Sequence, residues 1–230
     1  MKINLLIKRT INILLGKDLM SRKQLDINYD VIGNEGASFA VAKGFLNNKS
    51  IVYSFGVGTD VSFDVGLIEM YNLELYAFDP TPRSIVWVEE NRMLPGSFHF
   101  KPWGISNVDK LEKFYPPLVD THVSFSIDDI QNSKKQYVEG QVYKLDTIMK
   151  KLNHHKIDLL KMDIEGKEYD VLDDLLEQEI DIGQIAVEFH HRFDKIGASK
   201  TGSIVRRLNE KGFRIFYISE NGEEYSFIKQ

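Results

Sequence analysis

The stretch Ile51-Val52-Tyr53-Ser54-Phe55-Gly56-Val57-Gly58-Thr59-Asp60 decides the fold. It opens on a short apolar run and ends on two glycines. Such a run, bounded by glycine, reads as a buried strand entering a tight turn. Glycines there let the backbone turn sharply and let a ligand come close to it. A nicotinamide fingerprint wants a further glycine three residues after the second, and Val61 stands at that place. An NAD-dependent oxidoreductase is therefore the weaker reading of this turn.

Strands and helices alternate on the C-terminal side of the turn. Val61–Tyr71 reads as a helix, Leu73–Phe78 as a strand, and Arg83–Asn91 as a helix started by Thr81-Pro82. Phe98–Trp103 reads as a strand, Lys144–Leu152 as a helix, Ile157–Met162 as a strand and Glu168–Gln178 as a helix. Ile185–Phe189 is the next strand and Ser203–Lys211 a helix stopped by Gly212. Phe213–Ser219 and Tyr225–Lys229 flank Asn221-Gly222, a strong hairpin signal. This order predicts an α/β fold: a Rossmann-like, mostly parallel sheet with helices on both faces and a closing antiparallel hairpin strand. Such sheets bind ligands at the carboxyl ends of their strands.

Chemistry-bearing residues gather at that rim. Asp79 follows the second strand, about 20 residues past the glycines, where an acid can accept ribose hydroxyls. The lesser alternative is an acid at the start of the helix that follows. Asp163 and Glu165 follow the strand Ile157–Met162, and an extended chain would point both the same way. Glu188 and His190 alternate to one side after the next strand. A histidine beside acids is a candidate general base. Asp163, Glu165, Glu188 and His190 also form a candidate oxygen-and-imidazole set for a divalent cation, Mg or Mn. His154-His155 lies in a polar connector and reads as structural.

Composition narrows the class. The chain has 230 residues, 43% of them hydrophobic and 27% charged, which are globular proportions. It holds no cysteine, which excludes disulfides, a thiolate nucleophile and Cys-ligated metal. That absence fits a reducing, cytoplasmic location. The net charge of -5 argues against a nucleic-acid partner. Residues 1–49 read as an amphipathic basic helix with an approach segment, and residues 50–230 as the catalytic domain. On the helix, Ile3, Ile7, Ile11 and Leu14 share a face. That face suits docking on the domain or on a second copy in a homo-oligomer. With Lys2, Lys8, Arg9 and Lys17 it also suits weak peripheral contact with the inner face of a membrane. Asn107–Gly140, with Pro116-Pro117 and a strand-like Val123–Ile127, reads as an excursion from the domain.

Taken together, Val52–Gly58, Ala77–Pro82, Lys144-Leu145-Asp146, Asp158–Gly166 and Val187–His190 resemble the FkbM-type branch of class I S-adenosylmethionine-dependent methyltransferases. The Lys161-Met162-Asp163-Ile164-Glu165-Gly166 segment is the most specific part. The resemblance implies S-adenosylmethionine as cofactor. Gly56 and Gly58 would line its methionine and ribose part, with Ser54, Asp60 and Asp163 nearby. Asp79 would hold the ribose, and Trp103 and Gly104 would lie beside the adenine. Many class I enzymes carry an acid where Ser54 stands and a glycine where Asp60 stands. The resemblance further implies O-methylation, often of sugar hydroxyls in glycans or glycosylated metabolites. His190 or Asp163 would be the base, with Glu165 beside them, or a cation would activate the hydroxyl. A non-catalytic scaffold with the same fold is the remaining alternative.

Overall fold

The structure is a computed structural model that describes residues 2–91, 93–115, 137–193 and 195–230, with side chains from residue 7 onward. Val123–Ile127 lies outside the described residues. Along the chain come α1 (Lys2–Leu14), β1 (Tyr29–Ile32), β2 (Phe39–Ala42), β3 (Ile51–Phe55), α2 (Ser62–Tyr71), β4 (Glu74–Phe78) and α3 (Pro82–Glu90). They are followed by β5 (Phe98–Lys101), β6 (Trp103–Ile105), β7 (Lys110–Phe114), β8 (Val138–Tyr143), α4 (Leu145–Leu152) and β9 (Lys156–Met162). The chain closes with α5 (Glu168–Leu176), β10 (Asp181–Glu188), α6 (Ala198–Glu210), β11 (Phe213–Ile218) and β12 (Glu224–Lys229).

Seven strands form the central sheet in the order β11-β12-β10-β9-β3-β4-β5. Only β12 runs against the others, pairing antiparallel with both β10 and β11. The central strands β3 and β9 are buried on both faces, as a parallel sheet between helix layers requires. One face packs Tyr53, Leu160, Met162 and Val187 against α4, α5 and α6. The other packs Val52, Leu75 and Leu159 against Phe63, Leu67 and Ile68 of α2. Each such fully buried side chain stabilises the fold by roughly 1.5–3 kcal/mol. Helices α2 and α4 each stop at an asparagine in the left-handed region, Asn72 and Asn153, whose N–H closes the last turn.

The structure departs from the sequence reading in three places. Trp103 leaves the third strand of the expected set. Pro102 has no N–H to give the ladder, so Phe98–Lys101 stays in the central sheet while Trp103–Ile105 joins a small sheet of order β6-β8-β7. Helix α6 begins at Ala198, a turn and more before Ser203. The sequence pattern does not mark the hairpin β1–β2. It is held by Ala42 N–H donating to Gln184 Oε1 at 2.9 Å and by Ser226 Oγ donating to Ala40 O at 2.8 Å.

The segment before the hairpin is latched to the rim. Asp18, 4% exposed, accepts from His191 Nε2 at 3.1 Å and from Arg192 Nη2 at 2.6 Å. Burial pulls the His191 pKa below its ordinary value, opposed by the Asp18 charge. Arg192 also pairs with Glu223 at 2.8 Å. By contrast, α1 leaves Ile7, Ile11 and Leu14 exposed and touches the domain through Arg9, which donates to Ser219 O at 3.3 Å. Among the described residues, no helix is long and apolar enough to cross a membrane.

Candidate active site

The carboxyl ends of β3, β4 and β9 meet where the sheet order reverses, between β3's neighbours on either side. Gly56 turns the chain there with φ +79°, and a Cβ on it would stand 1.7 Å from Asp163 O. Asp163 N–H donates to Phe55 O at 3.1 Å, and Gly56 N–H to Phe78 O at 3.1 Å. Lys161, also buried, donates from Nζ to Phe55 O at 3.2 Å and to Gly56 O at 2.9 Å. The turn is thus pinned from both neighbouring strands.

Asp79 bridges this turn to the next helix. Its Oδ2 accepts from Gly58 N–H at 3.0 Å, and its Oδ1 from Thr81 N–H at 2.9 Å and Thr81 Oγ1 at 2.6 Å. Both sequence-based readings of Asp79 are therefore compatible with its place. It organises the start of α3 and it faces the cavity. Asp60 accepts from Ser62 N–H at 2.8 Å and from Asn34 Nδ2 at 3.2 Å. Burial would raise its pKa, but the bonds from Ser62 and Asn34 outweigh that and lower it.

These elements enclose a cavity of about 240 Å³. Gly56, Gly58, Asp60 and Asp79 line it, together with Pro80, Gly104, Ile105 and Phe114 at one end. Asp163 and Glu165 line it on the β9 side, and Phe39, Asp64 and Lys161 form another part of the wall. Three expected contacts do not lie on this wall. Ser54 is wholly buried beneath it, because β3 is covered on both faces. Trp103 is turned toward Phe78 and Tyr143, packing edge-on to the latter at 5.5 Å. His190 stands behind the acids.

The acids come together by a turn, not by strand alternation. After β9 the chain reverses through Glu165 at φ +52° and Gly166 at φ +95°. That brings one ligand atom each from Asp163, Glu165 and His190 within 4.8 Å of one another. His190 Nε2 lies 3.8 Å from Asp163 Oδ1 and 3.4 Å from Glu165 Oε2. Glu188 is not part of this trio. Its burial and the Asp163 charge push its pKa up to about 8.

His190 itself is oriented by Glu168, whose side chain is fully buried. Glu168 Oε1 accepts from His190 N–H at 2.8 Å and from its Nδ1 at 2.9 Å, while Oε2 accepts from Gly166 N–H at 2.9 Å. Burial alone would keep the ring neutral. The bond and charge of Glu168, with the charges of Glu165 and Asp163, reverse this and push the pKa up to about 10. A ring so placed favours the imidazolium form near neutral pH. A raised pKa stabilises the fold fully below the ordinary value of 6.5, and this contribution fades as pH rises through about 10. In an NMR titration the His190 ring is expected to keep protonated shifts across the neutral range. A ring that titrates near 6.5 would contradict this arrangement.

The sheet order, the glycine turn and the acid closing β4 are those of the class I S-adenosylmethionine-dependent methyltransferases. The chain belongs to the methyltransferase FkbM domain family, whose model matches residues 37–215. It is 26% identical over 190 residues to the rat protein named "Probable methyltransferase-like protein 24", covering 78% of this chain and 46% of that protein. The human protein of the same name is 25% identical over 190 residues. The chain thus spans less than half the length of these curated relatives. Among solved structures, the fibrillarin pre-rRNA processing protein of Methanococcus jannaschii shares the fold. Its TM-score is 0.50 at 11% identity, covering 92% of this chain and 86% of that one.

Proposed function

We propose that this chain moves a methyl group from S-adenosylmethionine to a hydroxyl oxygen, on a sugar of a glycan or of a glycosylated metabolite. The observation that carries the reading is the pair of carboxylates, Asp163 and Glu165, on the same cavity wall as the glycine turn and Asp79. S-adenosylmethionine, when bound, supplies an already activated methyl carbon. The protein's part is then to hold, orient and deprotonate. Gly56 and Gly58 would allow close approach, and Asp79 would accept the ribose hydroxyls. Asp163 would take the acceptor's proton as the O–C bond forms and the methyl's bond to sulfur breaks, with S-adenosylhomocysteine as the leaving group. An alcohol is a weak nucleophile, so a base at the reacting oxygen is needed. His190, behind the acids and protonated, keeps the two carboxylates close together instead of repelling apart.

A rim of carboxylates also favours a neutral polyol, whose hydroxyls donate to them, over a polyanion. With a net charge of -5, this supports a glycan or metabolite in preference to nucleic acid. Calorimetry with S-adenosylhomocysteine tests the cofactor site. Binding is expected in the wild type and a loss of about 100-fold or more in Asp79→Ala, which strips acceptors from the ribose and frees the Gly58 turn. Transfer of labelled methyl to panels of neutral glycans, proteins and RNA tests the acceptor. Label in RNA or in amines, and none in glycans, would defeat the hydroxyl reading.

A second reading is favoured by the trio itself. Glu168 fixes Nδ1 of His190, leaving Nε2 toward Asp163 and Glu165, which is how a carboxylate orients a metal-bound histidine. A divalent cation there would replace the ring proton and lower the hydroxyl's pKa. Stoichiometric Mn²⁺ binding seen by electron spin resonance would favour it. Full turnover after chelation would exclude it.

A further inference from the structure

Helix α1 turns its apolar stripe away from the domain. Ile7, Ile11 and Leu14 recur at i, i+4 and i+7, so they share one face, and all three are exposed. Leu14 is 81% exposed, and Leu15 and Met20 just beyond it are exposed as well. Arg9 lies about 200° round the helix from Ile7 and faces the domain. It donates to Ser219 O at 3.3 Å and packs against Gly222, where a Cβ would stand 2.5 Å from Arg9 Nε. At its other end the helix gives way to Gly16, at φ +70°, and the chain then buries Asp18 against His191 and Arg192. The helix is thus seated at two points, both of them polar. Turning the stripe inward would pull Arg9 off the Ser219–Gly222 turn. A helix packed on a globular domain normally does the reverse and buries its apolar face.

We infer that α1 seats the protein on an anionic lipid bilayer. Charge and area select this occupant. The first 17 residues hold Lys2, Lys8, Arg9 and Lys17 and no acid. Lys8 and Lys17 are exposed beside the stripe. Anionic headgroups complement those cations, and the acyl boundary beneath them takes up the aliphatic side chains. A second copy of the chain fits less well. A helix of 13 residues is about 20 Å long and offers roughly 200 Å² along one face. Two copies joined there would bury about 400 Å², well short of the roughly 1,200 Å² of a stable interface. They would also set the same cations against each other. The two seating points place the helix in the fold. Ser219 follows β11, and His191 and Arg192 follow β10, so α1 lies beside the carboxyl rim that carries the cavity. This contact is independent of the reaction proposed above.

Flotation of the full chain with lipid vesicles tests the contact. At low salt the wild type is expected to bind vesicles of phosphatidylcholine with phosphatidylglycerol about 10-fold or more tightly than pure phosphatidylcholine, and added salt should narrow the gap. The combined variant Ile7→Gln, Ile11→Gln and Leu14→Gln should bind about 10- to 100-fold more weakly. Its thermal midpoint should stay where it is, because these side chains are exposed in the wild type. Lys8→Gln with Lys17→Gln should lose about 10- to 30-fold on the anionic vesicles and nothing on the neutral ones. Absence of wild-type binding to the phosphatidylglycerol vesicles overturns the inference. Equal binding to both kinds of vesicle does so too, as does undiminished binding by the triple variant. A dimer in sedimentation that the triple variant dissociates, with no vesicle binding, gives the stripe to a second copy instead.

Discussion

Gly56→Ala is expected to abolish binding of S-adenosylhomocysteine and to destabilise the protein by roughly 3–5 kcal/mol. The methyl group would be placed 1.7 Å from Asp163 O and 2.9 Å from Asp163 C. Those atoms are backbone, so the neighbour has no rotamer to change. Nor can the β9 end retreat cheaply. Its Asp163 N–H is bonded to Phe55 O, and Lys161 ties the same strand to Phe55 O and Gly56 O. The φ of +79° adds its own penalty of about 1–2 kcal/mol for a residue with a Cβ. Gly44→Ala separates the two contributions. Gly44 has φ +81° but nothing within 4 Å of its Cβ position, so only the conformational part, about 1 kcal/mol, is expected. Chemical denaturation of both variants, with calorimetry of each, measures the difference. If the two variants lose equal stability and Gly56→Ala still binds, close packing of β3 on β9 does not define this site.

Gly56 was legible in the sequence because its neighbours were. Apolar runs bounded by glycine, proline and asparagine marked β3, β4, β9 and the β11–β12 hairpin, and the alternation with helices implied the sheet. What escaped depended on distant partners. Tyr29–Ile32 and Phe39–Ala42 are too short to stand out, and they become strands by pairing with each other and by bonds from Gln184 and Ser226. Trp103 continues the apolar run Phe98–Trp103 in sequence but joins the small sheet, because Pro102 breaks the ladder between them. Asp163 and Glu165 do lie together, but not through the extended chain that their spacing suggests. The left-handed Glu165, not the pleat, brings them to one side.

His190 shows the same limit in its chemistry. Its position after a buried strand is readable, but its charge depends on Glu168, which the sequence places among the acids of the rim segment with no sign of which side chain it holds. Nothing in the local run Val187–Arg192 shows that a fully buried carboxylate from α5 holds the ring.

Asp163→Asn is expected to lower kcat for methyl transfer by about 10²–10⁴-fold, the usual worth of a positioned general base. Affinity for S-adenosylhomocysteine should change far less, because the contact that shapes the glycine turn is made by the Asp163 backbone, which the substitution leaves in place. Asparagine keeps the size of the side chain and can still accept a hydrogen bond, but it cannot take a proton. Glu165→Gln should cost less, since Glu165 Oε2 is the nearer partner of His190 and helps to hold the ring. His190→Gln should fall between them, because it removes the cation that offsets repulsion between the two acids. Chemical rescue separates proton transfer from positioning. Asp163→Ala opens space beside the reacting oxygen, and added formate should restore part of its turnover, whereas Glu165→Ala should gain nothing. A fall of less than about tenfold in Asp163→Asn, with no response of Asp163→Ala to formate, would move the base elsewhere on the rim. Glu165 would then be the remaining carboxylate beside His190 on the cavity wall.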